Sequence, residues 1–323
     1  MPGLKRRFYD ILSPNDYTAH RQPLFKEIGN FLGGTILAYT ASPYHPMPML
    51  SQQDVPFFES LLQSSGKNKN GFLMLSSPGG DGNVAEKLIG MFRRYFENFT
   101  VIVPNYAKSA ATMIALGSDK ILMGYLAELG PIDPQLILPG YPIPIPARSV
   151  IDGLEDIRTR ITKYKEPVEM YAPLLHNIKP EVLAMSQAAI DNARDFAERH
   201  LKKYMLKGNP RQASKVAKSL SEGLQYKSHG QVITFEQAKN DLLLNVEMID
   251  PESQLWEDIW ELYMRSIQFM MQNQAVGAAK LFEGPDFSSM LNIQVQQTPT
   301  RTQPPPIIPI QPPGPPPKTS GPQ

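Results

Sequence analysis

Cysteine is absent from all 323 residues. Disulfides, thiolate zinc sites and a cysteine nucleophile are therefore excluded, and any acyl-transfer nucleophile must be an oxygen or nitrogen group. Excess charge of one sign is also lacking: 32 basic against 31 acidic residues leave a formal net charge of +1. That balance gives no electrostatic footprint for nucleic acid or an acidic membrane surface. No apolar run reaches the roughly 18 residues that span a bilayer, and the apolar segment Phe31–Tyr39 is split by Gly33-Gly34. Met-Pro-Gly-Leu-Lys-Arg-Arg at the start carries the charge of a secretory n-region, but Phe8-Tyr9-Asp10 follows in place of an apolar stretch. These absences point to a cytoplasmic protein. Histidine is scarce, and its five copies form neither a His-Glu-x-x-His motif nor a cluster, so neither a metal nor another cofactor is expected. What is present, 41% hydrophobic and 20% charged residues, suits a folded globular chain.

Proline divides the chain. Of 32 prolines, 11 fall in the last 26 residues, Thr298–Gln323, where Arg301 and Lys318 are the only charges. Spacings such as Pro306-Ile-Ile-Pro309 make this tail polyproline-like or disordered, a spacer or a docking segment for an aromatic groove. Upstream, β-rich runs alternate with helical ones. Gly34–Thr40, Gly71–Ser76, Thr100–Val103 and Lys120–Met123 read as strands. Val55–Gln63, the segment carrying Val84, Leu88, Met91, Phe92, Tyr95 and Phe96, and Ala110–Leu116 read as helices. Strand–helix–strand units of this length imply parallel pairing with right-handed crossovers, an α/β core. The second half reads as helices over Ile151–Tyr171, Pro180–Met205, Pro210–Ser221 and Leu255–Met271, with a capping box at Thr234-Phe-Glu-Gln237 opening another. The expected organisation is an N-terminal extension (1–33), an α/β core (34–138), a proline-rich connector (139–150), a helical part completing the domain (151–275) and a flexible tail (276–323).

Two loops at predicted strand ends stand where open α/β sheets bind ligands. Ser77-Pro-Gly-Gly-Asp-Gly82 lets backbone N–H groups approach a negative charge before a helix; its plainer reading is a tight turn. Gly80-Asp-Gly-Asn-Val-Ala85 fits a dinucleotide fingerprint, but the acid that should contact the ribose about 20 residues on is missing. The second loop, Pro104-Asn-Tyr-Ala-Lys-Ser-Ala-Ala-Thr112, sets Ser109 where a strand turns into a helix of small residues. There a helix N-terminus favours developing negative charge, or the serine simply caps the helix.

Taken together, Ser77–Gly80, Val103–Thr112, Ala115–Gly124 and Leu129–Gln135 (L-G-P-I-D-P-Q) resemble the Clp-type serine peptidases, which include signal peptide peptidase A. The resemblance is closer to the serine dehydrogenase proteinase family, and it spans roughly Gly34 to Asp250. Ser228-His229-Gly-Gln-Val-Ile-Thr-Phe-Glu-Gln-Ala238 resembles a later stretch of that family. The resemblance implies a ClpP/crotonase-like α/β fold, Ser109 as nucleophile, Asp133 and His229 as the other members of a triad, and an oxyanion hole from Gly79, Gly80 and Ala110. Many relatives read A-M-S-G-G-T where this chain has Ala107-Lys-Ser-Ala-Ala-Thr112, and some carry an N-terminal membrane anchor that is not found here. The implied activity is serine endopeptidase chemistry on peptides or proteins, in a homo-oligomer, with the tail open to a partner. Other readings stay open: a Ser–Lys dyad using Lys163 or Lys165, His200 as substitute base, a non-catalytic scaffold, or an acyl-CoA enzyme of crotonase type. His176 reads as a surface or core residue.

Overall fold

The computed structural model describes residues 18–138, 141, 143–176, 179–222 and 230–294. The proline-rich tail and the segment holding His229 lie outside the described residues. Seven strands make the main sheet: β1 (Thr35–Ala41), β2 (Asn68–Ser76), β3 (Phe96–Val103), β4 (Lys120–Met123), β5 (Val246–Met248), β6 (Ala278–Gly284) and β7 (Phe287–Asn292), in the order β7-β6-β1-β2-β3-β4-β5. From β1 to β5 every pairing is parallel, whereas β6 pairs antiparallel with β1 and β7 antiparallel with β6. The expected α/β architecture with a parallel core is present.

Strand alternation builds two cores from one sheet. Leu37, Tyr39, Leu73, Leu75, Val101 and Val103 face one side. Helices α2 (Val55–Ser65), α3 (Gly82–Tyr95) and α4 (Ala110–Leu116) cover that side. Ile36, Ala38, Met74 and Ile102 face the other, beneath α1 (Thr18–Leu32) and the aromatic helix Gln254–Gln272. Asp81 starts α3 by accepting a hydrogen bond from Asn83 N–H at 2.8 Å. Val84, Ala85, Leu88, Ile89 and Phe92 then give that helix its buried stripe. Phe92 stacks on Phe99 at 4.8 Å between centroids, and burial of each such side chain contributes about 1.5–3 kcal/mol.

The structure departs from the sequence reading at four places. Helical spacing extends through Phe96, yet the chain turns into β3 there, because Phe96 pairs with Asn68 across the sheet. The helix expected over Ile151–Tyr171 is α5 (Ala147–Thr162); Lys165 has φ 59 and Pro167 follows, which breaks it. The capping box at Thr234 forms, with Thr234 N–H on Gln237 Oε1 at 3.0 Å, but it opens only a short turn of helix that stops before Leu243 at φ 52. Residues 278–292, which composition groups with the tail, are the hairpin β6–β7 and belong to the sheet. The other long helices are α6 (Pro180–Lys203), α7 (Pro210–Glu222) and α8 (Gln254–Gln272), and a single short turn of helix covers Ala172–His176.

Candidate active site

Ser109 sits at the junction between the β3 side of the sheet and α4. Its backbone is at φ 49, ψ −119, a region that costs a non-glycine residue roughly 1–3 kcal/mol and persists only where surrounding structure imposes it. The hydroxyl makes no cap bond to its own helix, so the plain reading of Ser109 as an N-cap does not describe its side chain. Behind it α4 is buried over its whole length, from Ala110 to Leu116. The small residues let α4 sit closely against its surroundings.

The glycine turn faces this serine. Gly79 (φ 101) lies so close that a Cβ there would stand 2.7 Å from Ser109 Cβ and 2.9 Å from Ala110 N. The two loops are bridged in parallel, with Ser77 N–H on Tyr106 O at 3.1 Å and Lys108 N–H on Ser77 O at 3.0 Å. Of the three N–H groups named from the sequence, that of Gly79 is occupied by Ser77 Oγ at 3.1 Å. Gly80 N–H and Ala110 N–H have no partner among the described residues. Two unpaired N–H donors close together are the kind of group that can bind a negative oxygen, and here that pair is Gly80 and Ala110.

The Leu129–Gln135 loop is fastened to the same helix. Thr112 Oγ1 donates to Ala107 O at 2.7 Å and accepts from Gly130 N–H at 3.1 Å. Lys108 does not add a free charge beside Ser109. Its ammonium binds Glu128 at 2.8 Å and reaches Leu129 O at 3.2 Å and Gln231 O at 3.4 Å. Leu129 and Ile233 exchange backbone hydrogen bonds of 3.0 Å, which sets the segment after His229 alongside the loop carrying Asp133. Asp133 is buried and accepts from Gln135 Nε2 at 3.0 Å.

A cleft of about 1080 Å³ opens over Ser109. Gly80, Lys108, Ile132, Pro134 and Gly230 line it, and α3 and α6 form a wall with Glu86, Ala193, Phe196 and Arg199. Gly230 brings the chain next to His229 to this cleft, while His229 itself lies outside the described residues. Lys163 and Lys165 are exposed at the end of α5 and do not line the cleft. His176 is exposed too.

His200, on α6, is mostly buried against Phe196, 4.4 Å between ring centroids. Both ring nitrogens lack a hydrogen-bond partner among the described residues, and Glu86 stands 3.8 Å away, beyond bonding range. Burial, outweighing the pull of Glu86, lowers its pKa to about 4. Neutral His200 therefore costs nothing above its ordinary value near 6.5, but between there and pH 4 the unfolded chain takes up a proton that the folded one refuses. His200→Leu is expected to cut the stability lost between pH 7 and pH 4 by about 2–3 kcal/mol, as read by urea unfolding at both pH values. An unchanged difference would show that His200 titrates normally.

Comparison with known proteins bears on the family of the chain. The sequence pattern of ClpP-like SDH-type serine proteinases matches residues 59–280. An uncharacterized protein of Methanocaldococcus jannaschii is 26% identical over 276 residues, 81% of this chain and 86% of its own length. A second from the same organism is 38% identical over 64 residues, 20% of this chain and 22% of its own. Two solved structures of variants of a membrane-bound stomatin-specific protease, one with a substrate peptide, align at 13% and 15% identity. Their TM-scores are 0.38 and 0.36, covering 62% and 74% of this chain and 75% and 80% of theirs. Among the described residues no helix is long and apolar enough to cross a membrane.

Proposed function

Since the chain belongs to the ClpP-like SDH-type serine proteinases, we propose that it is a serine endopeptidase acting through an acyl-enzyme on Ser109. The observation that carries this reading is the strained Ser109, its hydroxyl unused as a cap, set against a glycine turn with Gly80 N–H and Ala110 N–H unpaired among the described residues. A scaffold protein has no use for backbone strain at that position. An acyl-CoA enzyme of crotonase type would use the paired N–H groups but needs no serine between them.

In the proposed reaction a peptide carbonyl lies over Ser109. His229 removes the hydroxyl proton as Oγ attacks the carbonyl carbon, and Gly80 and Ala110 hold the resulting oxyanion. The same imidazolium returns the proton to the leaving amine, and water then repeats the sequence on the ester. Asp133 holds the imidazole in its tautomer. Support for this triad is the position of Gly230 in the cleft and the pairing of Leu129 with Ile233, which brings the chain that follows His229 beside the loop of Asp133. A lysine base needs desolvation to lose its proton at neutral pH, and exposed Lys163 and Lys165 do not meet that requirement. On this reading the enzyme is a cytoplasmic homo-oligomer. Val168, Met170, Leu174 and Met185, all exposed, offer subunit contacts, and the proline-rich tail offers polyproline segments to a partner.

The test is a fluorophosphonate probe followed by peptide mapping: the adduct is expected on Ser109, and labelling elsewhere or nowhere ends the serine-peptidase reading. A second expectation concerns the turn. A Cβ on Gly80, whose φ is 145, would stand 2.3 Å from Leu50 O and 2.4 Å from Leu50 N. Gly80→Val must therefore shift the backbone donor, and turnover should fall by about 10²–10³-fold. A folded variant with ordinary turnover would reduce the motif to a turn.

A further inference from the structure

The donor Gly80 N–H is aimed by a short stretch of chain that has its own support. Leu50 runs parallel to the turn, donating its N–H to Gly79 O at 2.7 Å and accepting from Asp81 N–H at 2.9 Å. Those two bonds grip the residues on either side of Gly80 and leave its own N–H facing away. Contact is tight, because Gly80 has no room for a Cβ against Leu50. The next residue, Ser51, donates its N–H to Asp54 Oδ2 at 2.9 Å, and Asp54 N–H returns to Ser51 O at 3.0 Å. Asp54 in turn holds Lys280 of β6, with Nζ at 2.7 Å and 2.9 Å from the two carboxylate oxygens and 3.3 Å from Ser51 Oγ. Both side chains of the pair have zero exposure.

Burying an ion pair is costly, and an apolar pair of the same volume often serves stability as well or better. The pair lies under the loop that grips the turn, and no cleft residue belongs to it. We propose that Asp54 and Lys280 are positioning residues: they lock Ser51 and Leu50 to the sheet, so that Leu50 holds Gly79–Asp81 with Gly80 N–H directed at the carbonyl over Ser109. The oxyanion part of this inference rests on the peptidase reading above; the mechanical part, that the pair holds the turn, does not. Neither residue touches substrate. Ser51 and Asp54 precede the family-matched segment, and Lys280 is its last residue.

Paired variants of two kinds, apolar and amide, separate positioning from mere packing. Asp54→Leu with Lys280→Met replaces the ions by apolar groups; Asp54→Ala with Lys280→Met serves if leucine overfills the site. Asp54→Asn with Lys280→Gln removes the charges but keeps an oxygen for Ser51 N–H. Two readouts are taken on the full chain: amide hydrogen exchange at Leu50 and Asp81, and the maximal rate and half-saturating concentration for Ser109 labelling by a fluorophosphonate. The apolar pair is expected to raise exchange at both amides at least about tenfold while β2 and β3 stay protected. It should also lower the maximal labelling rate about 30-fold, with the half-saturating concentration within about threefold. The amide pair should stay within about threefold of the parent on every readout. Unchanged exchange in the folded apolar variants overturns the proposal, whether or not the labelling rate falls. Failure of the parent protein to label at Ser109 overturns the peptidase reading instead, and the exchange measurement alone then decides whether the pair holds the turn.

Discussion

Ser109→Ala is expected to lower peptide hydrolysis by at least about 10³-fold and to abolish fluorophosphonate labelling, with the thermal midpoint essentially unchanged. The size of the kinetic effect follows from nucleophilic catalysis. Without Oγ no acyl-enzyme forms, and the paired N–H groups retain only the residual acceleration of an oxyanion site acting on water. The unchanged stability follows from what the side chain does in the fold. Its hydroxyl caps nothing and is bonded to no described residue, so its removal leaves no buried partner unsatisfied. The strain at φ 49 is a property of the backbone and is shared by alanine. A variant hydrolysing peptides near the parent rate, with the fold intact, would place the chemistry elsewhere. A variant that unfolds would show that the serine is structural.

The parallel core was legible because its physics is local. In β1, Ile36 and Ala38 go to one core while Leu37 and Tyr39 go to the other, and such a doubly buried run has the Val-, Ile- and Leu-rich character of a parallel strand. Helix α4 runs over the residues the sequence suggests, Ala110–Leu116, because a run of small residues opens at the Ser109 junction and closes at Gly117. The hairpin β6–β7 was not legible. Its first strand carries Lys280 and Glu283, which read as solvent-facing charges, yet both are buried. Lys280 finds Asp54, 226 residues earlier, and Glu283 finds Arg21, 262 residues earlier. No periodicity announces a charge whose partner lies that far away. The second strand, Phe-Ser-Ser-Met-Leu-Asn, has too little hydrophobic alternation to stand out from the polar tail that follows.

The same distinction runs through the site. Ser109, Gly79, Gly80 and Ala110 belong to motifs a few residues long, and the fold brings those two motifs together. The division of labour inside the turn needed coordinates. Ser77 Oγ takes Gly79 N–H, which leaves Gly80 N–H as the unpaired one of the two among the described residues, and only the observed bonds show Leu50 gripping the turn. Lys108 was a charge of unknown direction in the sequence; in the structure it is paired with Glu128 and ties Leu129 to the segment of Gln231. The roles of Asp133 and His229 come from the resemblance, so they are the part most in need of a kinetic test.

His229→Gln is expected to reduce acylation of Ser109 by roughly 10³-fold or more, while Lys163→Met and Lys165→Met leave most of it. A glutamine side chain cannot accept the serine proton at neutral pH, whereas the two lysines are exposed ammonium groups away from the cleft. Asp133→Asn should be nearly as damaging, because an amide stabilises the wrong tautomer of the imidazole; in a serine protease that change costs about 10⁴-fold in turnover. The pH profile gives an independent reading. With an ordinary histidine as base, the rate of labelling rises with pH through about 6 to 7. His200, lowered to about 4 by burial, would place the limb far more acid, so the two histidines are distinguishable without mutation. A lysine base would give a limb that survives His229→Gln and disappears with one of the lysine substitutions. Retention of parent labelling rates by both His229→Gln and Asp133→Asn removes these residues from the mechanism. The family assignment and the paired donors at Gly80 and Ala110 would remain, because neither depends on which side chain takes the proton.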